Sequence, residues 1–548
     1  MRSRPVLAGV AAFAATAAML LAACGSGGSS AAAPASQPRA GGNLTYALDV
    51  EPQCFDAAVS PQDVTGEVDR NILDSLVSED TKGTFHPWLA KSWDVSKDLT
   101  TYTFHLRSGV KFTDGTTFDA NAVKVNFDRI VAPTTKSQYA SNLLGPYTGT
   151  KVIDPSTVQI SFSKPFAPFL QVAATAYFGF YSPAAIKNHP EGFCVGGPAA
   201  VGTGPFTFTS ATKGQSIVFS RNPDYNWAPA DSTHTGPAYL DKVTYRILSE
   251  PATRIGSLTS GQVDGIQSVP PSNVASLASN KSINVYKKDN PGGVYNLYLN
   301  VTRPILSDQR VRQAIQRGIN IDQNVKTVYF GQYNRAWSPI SPATPSYDPK
   351  LEGSWPYDPA LANKLLDEAG WTGRDSAGYR TKDGQRLTVV WPSTPSASNR
   401  DSRDVLAQAI VADLKKIGIE ISRPSFDVTT YLTKAYASEF DVLDTSWARF
   451  DPDVLRLFFN SASRGSNGQN GAFLADDQVD QWTNAGAQTL DTATRNDVYA
   501  KTQQRVIQLA ADVPVYVPRS LFATQSTVQD LAFSPNSWPQ FYGTWLSK

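Results

Sequence analysis

Alternation between apolar and polar residues identifies several candidate strands in this chain. The segment 101–107 (TYTFHLR) has an apolar side chain at every second position and polar side chains between them. Residues 158–162 and 295–301 show the same period of two. Because successive side chains of a strand point to opposite faces, each segment predicts a strand with one buried and one polar face.

Helical periodicity separates these candidate strands. Apolar residues recur every three or four positions from Leu406 to Ile417, with Asp-Ser at 401–402 as candidate N-caps and Gly418 as the end of the helix. Residues 307–319 show the same spacing after Ser-Asp. Strands and helices interleave along the chain without an internal repeat, so the predicted class is α/β.

The N-terminal end has the layout of a secretory signal peptide. Arg2 and Arg4 precede an apolar run, 5–23, that is mostly alanine. A membrane-spanning helix needs ~20 strongly apolar residues, whereas this run is alanine-rich and ends directly in a flexible tract, so cleavage is favoured over a retained helix. The sequence LAAC resembles a bacterial lipobox, in which the signal is cut before a cysteine that is then lipidated. We therefore predict a signal peptide over 1–23 and a lipid anchor on Cys24; the alternative is a chance cysteine near a cleavage site.

Residues 24–42 form a predicted linker. After Cys24 they are almost entirely Gly, Ser, Ala and Pro, a composition that cannot bury a core. A random coil of this length reaches roughly 25 Å, which suits a tether between a membrane and a folded body. That body is too long for one compact core and indicates about three domains.

Charge and aromatic content limit the choice of partner. The formal net charge is +1, charged residues make up 18% of the chain, and no basic block occurs. Nucleic acid is therefore excluded as a partner, since its binding needs clustered Lys and Arg. The chain has 11 Trp, 22 Tyr and 26 Phe, and such a surplus of large amphipathic rings suits a ligand cleft as well as a core.

Two further cysteines, Cys54 and Cys194, form an even pair in an exported chain. Disulfides are stable outside the cytoplasm, so the default prediction is that these two cysteines are bonded.

The sequence lacks the complete motif of any enzyme class that we considered. The four histidines are scattered without zinc-ligand spacing, and no phosphate-binding GxxxxGK[ST] loop occurs. Residues 161–164 (SFSK) match the SxxK of penicillin-recognising enzymes, but that serine lies within a predicted strand and the SDN and KTG partner motifs are missing. We expect no catalysis, no metal site and no cofactor.

Several longer blocks, in a fixed order, carry a family resemblance. They are LAKSWDVSKDLTTYTFHLRSGVKFTDGTTFDANAVKVNFDRI, VGTGPFTF with SRNPDYNW, YLDKVTYRILSEPATRIGSLTSGQVDGI, NLYLNVTRPILSDQRVRQAIQRGIN, ALANKLLDEAGW, LAQAIVADLKKIGIEIS and FDVLDTSWARFDPDVLRLFF. From about residue 42 to the C-terminus, the chain resembles the family 5 solute-binding proteins of bacterial ABC importers, which include dipeptide, oligopeptide, nickel and opine binders.

The resemblance implies a two-lobed α/β fold of the periplasmic-binding-protein type (type II, cluster C) with an extra inserted domain. The implied boundaries are 43–76, 201–290 and 515–548 for the first lobe, 77–200 for the inserted domain and 291–514 for the second lobe. In this arrangement Cys54 and Cys194 lie near the two ends of the insertion, and the chain crossings between the lobes form a hinge.

The implied function is to capture a small solute between the lobes and deliver it to a permease. The resemblance favours a dipeptide or oligopeptide; the alternatives are an oligosaccharide, an opine-like conjugate, a metal chelate, or a sensory role for the solute receptor. The permease and ATPase subunits are other chains, and the protein is expected to act as a monomer, lipid-anchored outside the cytoplasm.

The candidate ligand residues lie in SWARFDPD, at 446–453. Peptide binders of the family hold the peptide ammonium with an aspartate shortly after a Trp-containing pair, and this loop is about two residues shorter, with Arg449 and Phe450 near the expected position. Trp447 is predicted at a strand end facing the interlobe gap, with Arg449 and Asp451 on the loop beyond. The alternative is a core tryptophan beside a solvated Arg–Asp pair, with Asp451 as a turn or helix-cap residue.

Overall fold

The computed structural model of the protein describes residues 37–395, 401–465 and 468–547. The predicted signal peptide and Cys24 lie outside these ranges. The strands, in chain order, are β1 (Asn43–Leu48), β2 (Val77–Glu79), β3 (Phe85–Pro87), β4 (Ala90–Val95), β5 (Thr101–Leu106), β6 (Tyr147–Asp154), β7 (Thr157–Phe162), β8 (Phe206–Thr212), β9 (Ser216–Arg221), β10 (Lys242–Ile247), β11 (Gly265–Ile266), β12 (Ile283–Asp289) and β13 (Gly292–Leu299). They continue with β14 (Asn334–Arg335), β15 (Gly373–Arg374), β16 (Arg380–Lys382), β17 (Gln385–Arg386), β18 (Thr388–Val390), β19 (Glu420–Ser422), β20 (Val442–Ala448), β21 (Asp512–Val517), β22 (Arg519–Gln525), β23 (Val528–Gln529), β24 (Ala532–Phe533), β25 (Pro539–Gln540) and β26 (Trp545–Leu546).

Helices alternate with these strands, as the mixed pattern predicts. They are α1 (Asp63–Asp69), α2 (Ala120–Val131), α3 (Ala140–Leu143), α4 (Phe169–Ala174), α5 (Pro183–Asn188), α6 (Pro251–Thr259), α7 (Val274–Ser279), α8 (Gln309–Gly318), α9 (Ile321–Val328), α10 (Pro359–Glu368), α11 (Arg403–Lys416), α12 (Val428–Tyr436), α13 (Val454–Phe459), α14 (Asp477–Ala487) and α15 (Thr492–Gln508).

The first lobe is built on a seven-stranded sheet with the spatial order β12-β22-β11-β1-β10-β9-β8. β1 runs parallel to β10 and β11, and the other neighbouring pairs are antiparallel. Leu44, Tyr46 and Leu48 of β1 pack into one hydrophobic core, whereas Ala47 packs into a second core. Both faces of this sheet are therefore covered.

An inserted sheet, β4-β5-β7-β6, lies between β1 and β8 in the chain and is antiparallel throughout. The two strands predicted here are confirmed as β5 and β7. Tyr102, Phe104 and Leu106 are buried while the side chains between them are half-exposed, and β7 shows the same alternation. One face of the inserted sheet thus packs on the core and the other faces solvent.

The second lobe contains the antiparallel sheet β14-β21-β13-β20. Every residue of β13 is buried, so the prediction of a polar, exposed face is wrong for this strand. The reason is that Tyr295 and Leu297 pack into one core while Tyr298 packs into another. Asn296 is accommodated by donating hydrogen bonds to the Pro339 carbonyl at 3.0 Å and to the Tyr298 hydroxyl.

Short connections join the sheets of the two lobes. Residues 290–291 lead from β12 into β13, and Pro518 alone separates β21 from β22. Short crossings of this kind can absorb the backbone rotation of a hinge. β21 runs across residue 515, where the sequence places a lobe boundary; the domain limits stay a prediction.

The predicted helices at 307–319 and 402–417 are α8 and α11. Asp308 caps α8 by accepting a hydrogen bond from the Arg310 amide at 2.9 Å. The capping expected at α11 is wrong: Ser402 occupies the N-cap position, but with a φ of 50° its hydroxyl accepts no bond from the helix. Asp401 instead accepts a hydrogen bond from the Tyr516 hydroxyl at 3.1 Å.

A disulfide joins Cys54 to Cys194, the pair that the sequence names, with their Cα atoms 3.9 Å apart. The 140-residue separation encloses the whole inserted sheet. The bond therefore fastens the start and the end of the inserted region to each other.

Candidate functional site

Trp447 lies near the end of β20, where that strand pairs with the start of β13. Gly293 is its partner across the ladder. Gly292 has a φ of +92°, and a Cβ there would collide with the Trp447 carbonyl and the Arg449 amide. Glycine is therefore required for the chain after Trp447 to lie this close to β13.

The Trp447 side chain bridges the second lobe and the inserted region. Its indole Nε1 donates a hydrogen bond to the Tyr139 hydroxyl at 3.3 Å, and the two rings are 5.6 Å apart between centroids. The indole packs against the cores of both parts of the molecule. These contacts place Trp447 between the second lobe and the inserted region; that it faces an interlobe gap and binds the ligand stays a prediction.

The aromatic contact continues from Tyr139 into the first lobe. Tyr139 and Tyr177 are 4.8 Å apart between ring centroids, and Tyr177 and Trp538 are 6.2 Å apart. The Tyr177 hydroxyl donates to the Asp63 carboxylate at 3.5 Å. These rings and Trp447 form a row, which we call the aromatic row (Trp447, Tyr139, Tyr177 and Trp538).

Arg449 follows Trp447 and is 4% exposed. Its amide donates to the Pro291 carbonyl at 3.2 Å, but its buried Nε has no hydrogen-bond partner among the described residues. Burial raises the pKa of the Tyr139 phenol, and the charge of Arg449 acts in the opposite direction. The guanidinium group is therefore a buried cation close to Tyr139, and a buried unpaired charge is costly without an anion beside it.

Asp451 has a different environment. Its carboxylate accepts two hydrogen bonds from Arg495, at 2.7 and 2.9 Å, and one from the Asp453 amide at 2.7 Å. Both partners of the Asp451–Arg495 ion pair have side chains that are 11% exposed. The structure thus brings Trp447 and Arg449 to the lobe interface and holds Asp451 in an internal ion pair.

A cavity of about 60 Å³ lies beyond Trp538, beside α1. Its lining includes Glu67, Arg70, Glu79, Trp88 and Trp538. No motif in the sequence points to any of these residues. One signal was available: Glu67 is an acidic residue between Val64 and Val68, on the buried side of α1.

Burial dominates the electrostatics of this cavity. It raises the pKa of Glu67 to about 8, and the nearby Asp49 and Asp63 carboxylates act in the same direction. Burial also raises the pKa of Glu79 and lowers that of Arg70 to about 10. The Arg70 guanidinium donates to the carbonyls of Leu73 and Ala174, so its hydrogen-bonding capacity is largely used within the protein.

Metal ligation and membrane crossing have no structural support in the described part of the chain. Over those residues, no group of three or more His, Cys, Asp or Glu side chains is arranged to hold a metal ion. Among the helices described above, none has the length and apolar content that a bilayer span requires.

Comparison with known proteins assigns the class of protein. Residues 84–469 match the family described as "Bacterial extracellular solute-binding proteins, family 5 Middle". The chain is 28% identical over 460 residues to the glutathione-binding protein GsiB of Shigella dysenteriae, covering 82% of this chain and 84% of that protein.

Two solved structures share the fold. NikA from Brucella suis, in complex with Fe(III)-EDTA, aligns with a TM-score of 0.79 and 26% identity, over 92% of this chain and all of that chain. DppA from Helicobacter pylori, in complex with the peptide STSA, aligns with a TM-score of 0.75 and 25% identity, over 93% of this chain and 99% of that chain.

The fold is that of a two-lobed periplasmic binding protein, as the sequence predicts. The chain belongs to the bacterial extracellular solute-binding proteins, family 5. Its function is to bind a solute outside the cytoplasm as the substrate-binding component of an ABC importer.

Proposed function

We propose that the solute is a short peptide, bound between the lobes with a carboxylate at Arg449. The observation that carries this proposal is the Arg449 side chain, 4% exposed and with an unpartnered Nε, next to Trp447 at the lobe interface. A carboxylate is the group that best satisfies a buried guanidinium, because the two form charge-assisted and often bidentate hydrogen bonds. An oligosaccharide without an acidic group would leave that charge unpaired.

Relatives of this chain support the peptide class. A glutathione-binding protein and a structure holding the peptide STSA are both similar to it. Another similar structure was solved in complex with Fe(III)-EDTA, whose ligand carries carboxylate groups. A chelate is therefore the second candidate, and it would use the same guanidinium group.

The aromatic row provides the remaining contact surface. Trp447 belongs to the second lobe, whereas Tyr139 and Tyr177 belong to the inserted region. A solute that contacts both sides stabilises the closed arrangement, since its binding energy is available in full only when the two sides meet. The closed form is the shape that a permease recognises, and neither transport through the membrane nor catalysis is a task of this chain.

Membrane attachment belongs to the same proposal. Cleavage before Cys24 and lipidation of that cysteine would leave the folded body on the linker 25–42, facing outward from the cell membrane. The protein then acts as a lipid-anchored monomer that hands its solute to permease and ATPase subunits.

Two experiments test the solute class. Native mass spectrometry of protein isolated from its own cells identifies a bound solute, and calorimetric titration then compares tri-alanine, glutathione and a nickel–histidine complex.

Trp447→Ala should weaken binding of the true solute by about 1–3 kcal/mol, the usual loss for an aromatic contact residue. Trp482→Ala, on α14 of the second lobe and only partly buried, is the matched control and should leave affinity unchanged. Equal affinities in both variants would contradict a site at Trp447.

A further inference from the structure

We propose that the cavity beside α1 is a subsite for a compact cation, a primary ammonium group, with the Glu67 carboxylate as its acceptor. The proposal rests on the function proposed above, because it assigns a second charged group to the same solute. The solute would then be dipolar, with a carboxylate at Arg449 on the second lobe and an ammonium group at Glu67 on the first.

The first observation is an unsatisfied acceptor. Glu67 is 7% exposed and faces the cavity, and its Oε1 has no hydrogen-bond partner among the described residues. A buried carboxylate without a partner is costly and calls for a donor. An ammonium group supplies three donors and the opposite charge.

The second observation concerns the remaining polar groups of the lining. Asn536 also presents an oxygen, Oδ1, without a partner in the described part of the chain. Glu79 adds another carboxylate to the wall. Arg70, the one cation among the described residues of the lining, already donates to Leu73, Ser75 and Ala174 and stacks over the Trp88 ring at 5.0 Å. Trp88 Nε1 is an unpartnered donor in the same described lining, against the two unpartnered oxygens of Glu67 and Asn536. Unused acceptors therefore outnumber unused donors, which favours a cationic guest over an anionic one.

The third observation is the shape of the cavity. Its volume of about 60 Å³ is small, so it fits an ammonium group and the methylene next to it but not a whole side chain of large size. The Trp538 and Trp88 rings form apolar walls, and aromatic faces attract cations.

The aromatic row connects this subsite to Arg449. Trp538 lines the cavity, and Tyr177, Tyr139 and Trp447 follow it as successive ring neighbours toward the second lobe. The ring spacings are 6.2, 4.8 and 5.6 Å, so an extended peptide, which advances ~3.3–3.6 Å per residue, needs about five residues to follow the row. One peptide can therefore place its N-terminus at Glu67 and its C-terminus at Arg449.

Calorimetry with penta-alanine, N-acetyl-penta-alanine and penta-alanine amide tests the assignment in three proteins: wild type, Glu67→Gln and Arg449→Gln. Wild type should bind the free amine at least about tenfold more tightly than the acetylated peptide, as expected for a charge-assisted hydrogen bond. Glu67→Gln should lose most of that preference and keep the preference for the free acid over the amide. Arg449→Gln should show the reverse.

Each failure has its own signature. If Arg449→Gln behaves as expected but Glu67→Gln retains full preference for the free amine, the cation subsite is wrong and the proposed function stands. If none of the three peptides binds to wild type, the peptide class is wrong. The subsite is then decided by crystals soaked in ethylammonium chloride: an ammonium nitrogen within hydrogen-bond distance of Glu67 in wild type and absent in Glu67→Gln supports it, and water alone in both overturns it.

Discussion

Arg449 and Asp451 show how the surroundings of a residue decide what its charge can do. Both lie on the loop that follows β20, two positions apart. Asp451 is held by Arg495, from α15, whereas the Nε of Arg449 has no such partner within the described ranges. Removal of one partner from a buried ion pair destabilises the fold because the other charge is left uncompensated, whereas an unpaired buried charge remains available to a ligand.

Substitution of the two residues should therefore affect different quantities. Arg449→Gln should weaken binding of a carboxylate-bearing solute about 10- to 100-fold, the range for a charge-assisted hydrogen bond, without lowering the melting temperature. Asp451→Asn should lower the free energy of unfolding by about 3 kcal/mol, because it leaves Arg495 buried without its counter-charge. Calorimetric titration and thermal unfolding of both variants measure the two effects. A larger loss of affinity in Asp451→Asn would place the solute ammonium group at Asp451 instead.

Glu67 predicts a pH effect on stability. Its pKa is raised from 4.5 to about 8 in the folded protein, so between these values the solute-free native state holds a proton that the unfolded state has released. Binding of an ammonium group at Glu67 would release this proton to solvent. The free energy of unfolding should then fall as pH rises from about 5 to about 8.5. The titratable neighbours that act on Glu67 or respond to it are Asp49, Asp63, Tyr46 and Tyr245.

The difference between wild type and Glu67→Gln isolates this contribution. Glu67→Gln cannot titrate at this position. The free energy of unfolding of the variant, minus that of wild type, should therefore increase steadily as pH rises across the same window. Glu191→Gln, which changes an exposed carboxylate, should follow wild type throughout. A constant difference between wild type and Glu67→Gln from pH 5 to 9 would show that the Glu67 pKa is not raised.

At the scale of elements, α1 and its contact with Trp538 control the width of the cavity. Gly66 lies in the middle of α1, and a Cβ at this position would approach the Trp538 ring to 2.9 Å. Gly256, on α6, has nothing within 4 Å of its Cβ position. Both residues have ordinary helical backbones, so an alanine at either should fit the helix itself.

The two glycines provide a matched pair of substitutions. Gly256→Ala should raise the free energy of unfolding by about 0.5–1 kcal/mol, the helix-propensity difference between the two residues. Gly66→Ala should lose this gain in stability and weaken the binding of free penta-alanine, because the Trp538 ring must move into the cavity. Denaturant unfolding and calorimetry measure both effects. Equal stabilisation with unchanged affinity in the two variants would show that Trp538 shifts without narrowing the site.

At the scale of the whole molecule, one covalent bond and two short crossings define how the parts can move. The Cys54–Cys194 disulfide closes the inserted region, whereas residues 290–291 and Pro518 connect the lobes. The disulfide constrains the unfolded chain, and the crossings permit rotation of one lobe against the other.

Removal of the disulfide should lower stability without changing the site. In the chain-entropy model, closing a loop with a sequence separation of 140 stabilises by on the order of 5 kcal/mol, an upper figure because unfolded chains retain structure. The double variant Cys54→Ser, Cys194→Ser should unfold at lower denaturant than wild type and bind the solute with unchanged affinity. Two titratable thiols in the oxidised, unfolded wild-type protein would contradict the disulfide.

The predicted lipid on Cys24 would attach the whole molecule to the membrane. Cys24→Ala should release the protein from the membrane fraction or block its maturation, because the acyl chains that hold it are attached to that cysteine. Fractionation and mass spectrometry of the mature N-terminus measure this. Membrane attachment of a wild-type protein whose N-terminus carries no lipid would rule out a lipoprotein.

The sequence by itself determined the features that depend on neighbours in the chain. The period of two in β5 and β7 and the helical spacing of α8 and α11 are local, so they could be found without a structure. The order of the family blocks predicted the two-lobed class. The sequence also predicted that Trp447 lies at a strand end, and the structure has it near the end of β20. The close approach of the glycines at 202 and 204 to the backbone of Ile72, where a Cβ at either position would collide, is by contrast a contact between distant parts of the chain.

Only the tertiary structure decided which charges are free. Asp451 and Arg495 are 44 residues apart in the chain, and Glu67 meets Trp538 and Asn536 only where α1 lies against the C-terminal segment. The second, buried face of β13 likewise depends on cores contributed by distant residues. Burial and ion pairing are sums over contacts between segments remote in sequence, so the residue types alone did not show that Arg449 and Glu67, rather than Asp451, carry the unpaired groups.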